Sequence, residues 1–379
     1  MKSVKQGIIM KKNAVFLVLL LLFSSLFAKV INSDLPQLTE RESQSPQNVI
    51  LNIVGNNIVI SWDSIPVATD YKIYASDMPY GTYIDVSSAG TFSANTWTTA
   101  LSNGSQKFYY VTSLFKGNLN IEVYEGVVIL SWESIPNASS YKIYSSDEIN
   151  GTFSEVSDSG TFNGSSWVQN ISQADLKFYY FTAIVDNMET DASEEVGFKK
   201  FSCQTTDTTD LNFIALPFSQ NGMLASEFAQ SIGNCDAVSK WNAEKQSWES
   251  ANNADYKWLN DFQVQDGYQY MINVTETRNI YVAGKIIQQP NYNLITTSGT
   301  DLNTIMVPLD RNDLTQASQL GEDIEGCESV AEFNASDQQW FQVCPCPFGW
   351  SGDFPITLGQ SLFISVTEDT VWPSPSKKW

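Results

Sequence analysis

Short runs in which apolar and polar residues alternate recur along most of this chain. Val49, Leu51 and Ile53 alternate with polar neighbours, a Gly55-Asn56-Asn57 turn follows, and Ile58, Ile60 and Trp62 run back. A period of two is what a half-buried strand requires, so the pattern predicts a hairpin. Further strand signals follow at Tyr71-Lys72-Ile73-Tyr74, at Gly90-Thr91-Phe92 after a glycine turn, at Trp97, and at Lys107-Phe108-Tyr109-Tyr110. The same series then repeats 70 residues on, with Trp132 for Trp62, Tyr141-Lys142-Ile143-Tyr144, Gly160-Thr161-Phe162, Trp167, and Lys177-Phe178-Tyr179-Tyr180. An offset held that far without insertions marks a tandem domain. Many short strands separated by turn residues predict an antiparallel sandwich for each copy.

At these residues the chain resembles the fibronectin type III family. The core Trp of that family's second strand corresponds to Trp62 and Trp132, the Tyr of its third strand to Tyr71 and Tyr141. Its late Tyr-x-apolar-x-small strand corresponds to Tyr109-Val111-Ser113 and Tyr179-Phe181-Ala183. The resemblance covers about residues 48–201 and implies two seven-stranded sandwiches used as spacers or binding modules, without catalytic residues. Phe108 and Tyr110, with Phe178 and Tyr180, alternate opposite to the core face. They therefore belong on an outer sheet surface, where covering the sheet or packing between domains takes precedence over touching a ligand.

The copies differ at their ends. The second continues past Ala183 to a last strand around Glu195–Phe201, whereas the first has only Leu114 to Asn118 before the next domain. The first copy thus lacks a seventh strand of its own, and the edge of its Lys107 to Ser113 strand needs a cover. The segment from Asn118 to Tyr124 is the nearest candidate, and an open edge that captures a partner strand is the alternative.

A second duplication fills the remainder. Asp210-Leu211-Asn212-Phe213-Ile214-Ala215-Leu216-Pro217 matches Asp301-Leu302-Asn303-Thr304-Ile305-Met306-Val307-Pro308 at an offset of 91. Trp241-Asn242-Ala243 and Gln246-Ser247-Trp248 match Phe333-Asn334-Ala335 and Gln338-Gln339-Trp340 at 92. Each unit reads as strand, short helix, hairpin and strand. Phe228 and Ile232, matched by Leu320 and Ile324, give the helices, with Ser226 and Ser318 as caps and Gly233 as a stop. Core packing is the expected role of Trp241, Trp248 and Trp340, because a small unit needs large side chains to bury enough area.

The N-terminus carries Lys11 and Lys12, an apolar run from Ala14 to Phe23, and Ser24-Ser25-Leu26-Phe27-Ala28. This is the layout of a secretory signal peptide cleaved near Ala28, and the run is shorter than the roughly 20 residues of a spanning helix. The expected organisation is a signal peptide (1–28), a polar linker (29–47), the two sandwich repeats (48–117 and 118–201), and the two C-terminal units (202–287 and 288–379). The fold class is mostly β: two fibronectin type III-like antiparallel sandwiches followed by two duplicated small β-rich (α+β) units.

Composition narrows the function. A formal net charge of −21 argues against phosphate binding, so no nucleic acid is expected as a partner. The absence of histidine removes Ser-His-Asp and Cys-His pairs and the commonest metal ligand. No catalytic, cofactor-binding or metal-ligating residue is expected, and no cofactor. Five cysteines in an exported chain allow at most two disulfides. Cys235 is in reach of Cys203, and Cys327 in reach of Cys344 or Cys346. A metal at Cys344-Pro345-Cys346 is disfavoured without histidine or a second close cysteine pair. The expected role is an acidic, exported or cell-surface binding, adhesion or spacer protein, not an enzyme, whose partner is a protein or glycan. The alternative is a carbohydrate-binding accessory protein or a carbohydrate-degrading enzyme. Trp and Tyr exposed in a row would favour sugar, and a buried set the spacer.

Overall fold

The computed structural model describes residues 16–22, 25–31, 46–65, 68, 70–101, 106–114, 117–149, 151–171, 173–185, 188–205, 211–255, 257–297 and 301–373. Lys11, Lys12 and most of the expected linker lie outside them. The chain forms two compact units, one of Met1–Asn118, Glu133–Lys142 and Phe181–Glu194, the other of Leu119–Trp132, Ile143–Tyr180 and Glu195–Trp379. Architecture is mostly β, in antiparallel sheets with two short helices.

In the first unit, β1 (Phe16–Leu22) and β2 (Ser25–Ile31) form a hairpin. The first repeat supplies β3 (Ile50–Val54), β4 (Asn57–Ser61), β5 (Asp70–Ser76), β6 (Ile84–Asp85), β7 (Thr91–Ser93), β8 (Thr96–Ala100) and β9 (Gln106–Leu114). One sheet has the order β3-β4-β8-β7, the other β2-β1-β9-β5-β6. Between them Trp62 lies on Tyr71 at 5.0 Å, and Trp97 meets Tyr109 at 6.1 Å, with Ile58, Ile60, Ile73 and Val111 filling the rest of this core. The buried Trp97 indole donates to the Ser87 carbonyl at 3.0 Å, and the Tyr71 hydroxyl accepts the Ile65 N–H at 2.9 Å. Gly90 is required by close approach, since a Cβ there would stand 2.5 Å from Trp97.

The second repeat supplies β10 (Leu119–Tyr124), β11 (Val127–Trp132), β12 (Ala138–Ser146), β13 (Ser154–Glu155), β14 (Thr161–Phe162), β15 (Ser166–Asn170), β16 (Leu176–Val185), β17 (Met188–Glu189) and β18 (Val196–Cys203). Its anchors copy the first repeat's: Trp167 donates to Ser157 at 3.0 Å, and Tyr141 accepts the Ile135 N–H at 2.9 Å. The β10–β11 turn puts Glu125 and Gly126 at φ 48° and 78°, the paired left-handed conformation of a tight hairpin turn.

Two expectations about sheet edges are corrected here. The segment Asn118 to Tyr124 does not cover the β9 edge, because β10 lies in a different sheet, β10-β11-β15-β14, where it pairs with β11. Nor is that edge bare: Leu17 to Leu20 of β1 pair with Gln106 to Tyr109.

The C-terminal duplication comprises β19 (Asn212–Ala215), α1 (Ala225–Ile232), β20 (Cys235–Asn242), β21 (Ser247–Ala254), β22 (Lys257–Leu259), β23 (Gln269–Val274) and β24 (Arg278–Lys285). Then follow β25 (Tyr292–Leu294), β26 (Leu302–Met306), α2 (Ala317–Asp323), β27 (Cys327–Asn334), β28 (Gln339–Cys346), β29 (Gly349–Ser351), β30 (Ser361–Val366) and β31 (Thr370–Trp372). The sheets β19-β23-β20-β21-β22 and β26-β30-β27-β28-β29 have the same order. Each helix lays its apolar face on its sheet, through Phe228, Ala229 and Ile232 in α1, and through Ala317 and Leu320 in α2.

Ser226 and Ser318 are not the caps. They sit inside the first turns, where backbone and hydroxyl donate to Asp261 and Asp353, with hydroxyl bonds of 2.6 Å in both copies. Gly233, at φ 67°, ends α1 as expected, its N–H donating to the Ala229 carbonyl.

The duplication also begins earlier than the matched sequence. Phe201 of β18 pairs with Ile280 of β24, and Tyr292 of β25 pairs with Trp372 of β31, which are equivalent positions at offsets of 91 and 92. Asn212 brackets the Gln204 backbone at 2.7 and 2.9 Å, and Asn303 does the same to Ile295 at 2.9 and 3.0 Å. β18 is therefore shared: it closes the second sandwich on β16 and opens the first C-terminal unit on β24.

Candidate binding surface

The aromatic residues singled out by the sequence are mostly interior. Trp62, Trp97, Trp132 and Trp167 are buried. Phe108, Tyr110, Phe178 and Tyr180 alternate away from the sandwich core residues Tyr109 and Tyr179, and they are buried under other side chains, which is the covering and packing expected to take precedence over ligand contact. Tyr110 stacks on Tyr74 at 4.8 Å and is capped by Tyr83 at 5.0 Å; Tyr180 stacks on Tyr144 at 4.8 Å and is capped by Phe153 at 4.8 Å. Phe178 packs against Phe218. Burial drives the Tyr83 hydroxyl pKa well above its ordinary value.

In the C-terminal pair, Phe213 stands at the centre of an aromatic cluster. Trp248, Phe333, Trp340 and Phe363 surround it at 5.0 to 5.9 Å, and Trp241 joins through Trp248 at 5.1 Å. The tryptophans pack on one another and on Phe213, but they are half-buried or exposed and belong to neither unit's core, which corrects the core role expected of them. Trp340 is 51% exposed, and Phe348 at the β28–β29 turn is wholly so. They do not continue into a row, because Phe341 follows Trp340 and successive strand residues point to opposite faces.

A reciprocal clasp accompanies the cluster. Gln246, in the hairpin turn of the first copy, accepts the Leu302 N–H at 2.8 Å and donates to the Leu302 carbonyl at 3.1 Å. Gln338 of the second copy does the same to Leu211, at 3.3 and 3.2 Å. Each hairpin thus holds the first strand of the other copy. The matched Gln246 and Gln338 were the available sequence signal, but nothing in a single sequence shows that a turn reaches the other copy.

One charged network was not foreseen. The buried Arg311 makes two parallel bonds to Asp313 at 2.8 Å and one to Asp323 at 2.9 Å, and Asp323 also accepts the Trp372 indole N–H at 2.9 Å. The guanidinium holds the Asp313 carboxyl below the usual carboxylate range. Its sequence signal is a departure from the repeat: the equivalent position in the first copy is Gln220, which caps the Phe218 and Ala283 carbonyls instead.

The five cysteines are free thiols. Cys203 and Cys235 share one core, and burial pushes both thiols up to about 12, whereas Cys344 and Cys346 are exposed on β28. The expected disulfides are thus not formed. Among the described residues no group of three or more His, Cys, Asp or Glu is placed to hold a metal ion, and no helix is long and apolar enough to cross a membrane.

The surface that stands out is the turn after β5, and the repeat supplies its control. Met78 and Tyr80 are 64% exposed, and Ile84 on β6 is 61% exposed. Their counterparts in the second repeat are Glu148, Asn150 and Ser154. Both turns are built alike. The Gly81 N–H donates to Met78 at 3.1 Å and the Gly151 N–H to Glu148 at 3.2 Å; Ser76 and Ser146 hydroxyls accept the N–H of Met78 and Glu148 at 3.3 and 3.2 Å. Lys107 and Lys177 tie the turns down through Asp77 and Asp147 at 2.8 and 2.6 Å. The bonds that close this turn therefore do not need an apolar side chain at the position of Met78.

No protein-family model matches the chain, and no curated protein matches it. Each repeat is built from two antiparallel sheets. Among solved structures the chain is similar to a fibronectin type III-like protein from Clostridium thermocellum, at 20% identity over 21% of this chain and 82% of that one, with a TM-score of 0.18. It is also similar to domains FN1–FN3 of chicken CNTN1 (8% identity, 63% and 98% covered, TM-score 0.21). A third is the chicken interferon gamma receptor alpha chain (16% identity, 41% and 98% covered, TM-score 0.18).

Proposed function

We propose that the protein is exported and works outside the cell as a non-catalytic binding and spacing protein, with its contact surface on the first repeat. The observation that carries this reading is the contrast between Met78, Tyr80 and Ile84 and the polar residues at the same turn of the second repeat. Three large apolar groups left in water are unfavourable for a free turn, and a turn that makes the same bonds around Glu148 gives Met78 no structural task in closing it. Contact with a partner gives them one.

Replacing the three by their counterparts (Met78→Glu, Tyr80→Asn, Ile84→Ser) should leave the melting temperature unchanged. The mature chain and this variant should be compared for retention on the cells that export it and on a glycan array. Retention that falls with the swap is the expected result; retention that the swap does not alter sinks the reading. Sugar binding is the second reading, supported by the half-exposed Trp340 ring over its aromatic bed. Array binding lost in Trp340→Ala and kept in the triple swap would favour it.

A further inference from the structure

The β1 strand lies on the first repeat where the second repeat has its own last strand, β18. Leu17, Val18, Leu19 and Leu20 pair with Tyr109, Phe108, Lys107 and Gln106. In the second repeat Val196, Gly197, Phe198 and Lys199 pair with Tyr179, Phe178, Lys177 and Leu176. These are the same four positions, shifted by 70 residues, and in both cases the ladder is antiparallel. The first repeat is thus a sandwich with seven strands of its own, β3 to β9, and a slot for one more, filled by a segment that the sequence reads as part of an export leader.

We propose that removal of the leader bares the β9 edge at Gln106 to Tyr109, and that the slot is then filled by β9 of a second copy, joining two chains through a continuous antiparallel sheet. The proposal rests on the export reading only for the event that removes β1. Two observations favour a second copy. Among the described residues of the chain itself, β18, which fills this place in the second repeat, is paired on both sides, with β16 and with β24, and β10 belongs to another sheet, where it pairs with β11. A bare edge also carries alternating N–H and C=O groups that are self-complementary when the strand is turned antiparallel on itself, so one patch serves both partners about a two-fold axis. The joined sheet would run β6-β5-β9 and back through β9-β5-β6 of the other copy, leaving no unpaired backbone at the slot. An export leader occupying the slot would hold the precursor as a monomer.

The test uses the full chain and a chain beginning at Lys29, each followed by sedimentation and by hydrogen exchange. The full chain should be monomeric, with slow amides at Gln106 to Tyr109 at every concentration. The shortened chain should form dimers on concentration, its amides at these positions slowing at least roughly tenfold as it does so. A peptide of residues 195–201, from the last strand of the second repeat, should compete, returning the dimer to monomers in which the same amides remain slow.

A shortened chain that stays monomeric across the concentration range overturns the proposal, whether its edge amides are fast or are kept slow by its own residues 32–45. So does a dimer in which these amides do not slow. If shortening unfolds the first repeat, Val18→Pro in the full chain breaks the β1 ladder without touching β9 and must produce the same dimer. N-terminal sequencing of the exported protein reports cleavage separately, so loss of the export reading and loss of the slot are distinguishable.

Discussion

At the scale of single residues, the sandwich cores are set by where indole rings lie. A Cβ at Gly160 would meet the Trp167 ring and stand 2.5 Å from the Val168 carbonyl, so Gly160→Ala should destabilise by roughly 1 to 3 kcal/mol through overpacking. Trp167→Ala should cost about 3 to 5 kcal/mol, and denaturant unfolding of the two variants checks the order. Trp167 at wild-type stability when truncated would contradict the sandwich core. Arg311 is a different case, a buried cation held by two carboxylates. Arg311→Met leaves the largely buried Asp323 without its ion partner, and about 3 to 5 kcal/mol of stability should go with it. Because the folded-state pKa of Asp313 is lowered, chiefly by its Arg311 bond, its contribution is present above the unfolded carboxylate value of about 3.9. It is lost as pH falls through the depressed folded value. The acid limb of the stability profile below about pH 4 should therefore be shallower in Arg311→Met than in the wild type.

At the scale of elements, the paired turns that carry Gln246 and Gln338 should behave as equivalent clasps. Removing either side chain withdraws a hydrogen-bonding partner from the backbone of Leu302 or Leu211, so Gln246→Ala and Gln338→Ala should each cost roughly 1 to 2 kcal/mol. Thermal unfolding measures this, and a loss confined to one of them would break the equivalence. Strands, hairpins and both helices were legible in the sequence because alternation, turn residues and a four-residue apolar spacing each act locally. The duplications made them firmer, since a signal read twice at one offset is hard to produce by chance. What could not be read was long-range. Ser226 looked like a cap, but its hydroxyl serves Asp261, 35 residues away. Phe108 and Tyr110 were correctly set opposite the core, yet the rings that cover Tyr110 come from β5 and from the turn carrying Tyr83. The apolar turn at Met78, Tyr80 and Ile84 was visible as a departure from the repeat, but its exposure was not. The cover on β9 was missed because pairing across 90 residues leaves no local mark.

At the scale of the whole molecule, the consequential element is β18. Its eight residues pair one for one with β24, from Val196 against Lys285 to Cys203 against Arg278, while its first half also closes the sandwich on β16. Gly197 sits where the fit is tightest, since a Cβ would stand 2.6 Å from the Phe218 ring. A division between 201 and 202, natural from the sequence alone, would therefore strip β24 of almost its whole partner. The Phe201 to Ile280 pair, whose counterpart in the second copy is Tyr292 to Trp372, would go as well. Neither sandwich nor C-terminal pair can give β18 away without opening an edge of four to eight residues. A fragment of residues 195–379 should melt cooperatively, with β24 amides slow to exchange. A fragment of residues 204–379 should lose protection across Arg278 to Lys285 and melt several degrees lower, by an amount set by the lost ladder and its buried apolar contacts. Equal melting temperatures for the two fragments would mean that β18 belongs to the sandwich alone and that the joint can flex. A clear deficit would mean that the sheet running β16-β18-β24 holds the second sandwich and the first C-terminal unit together.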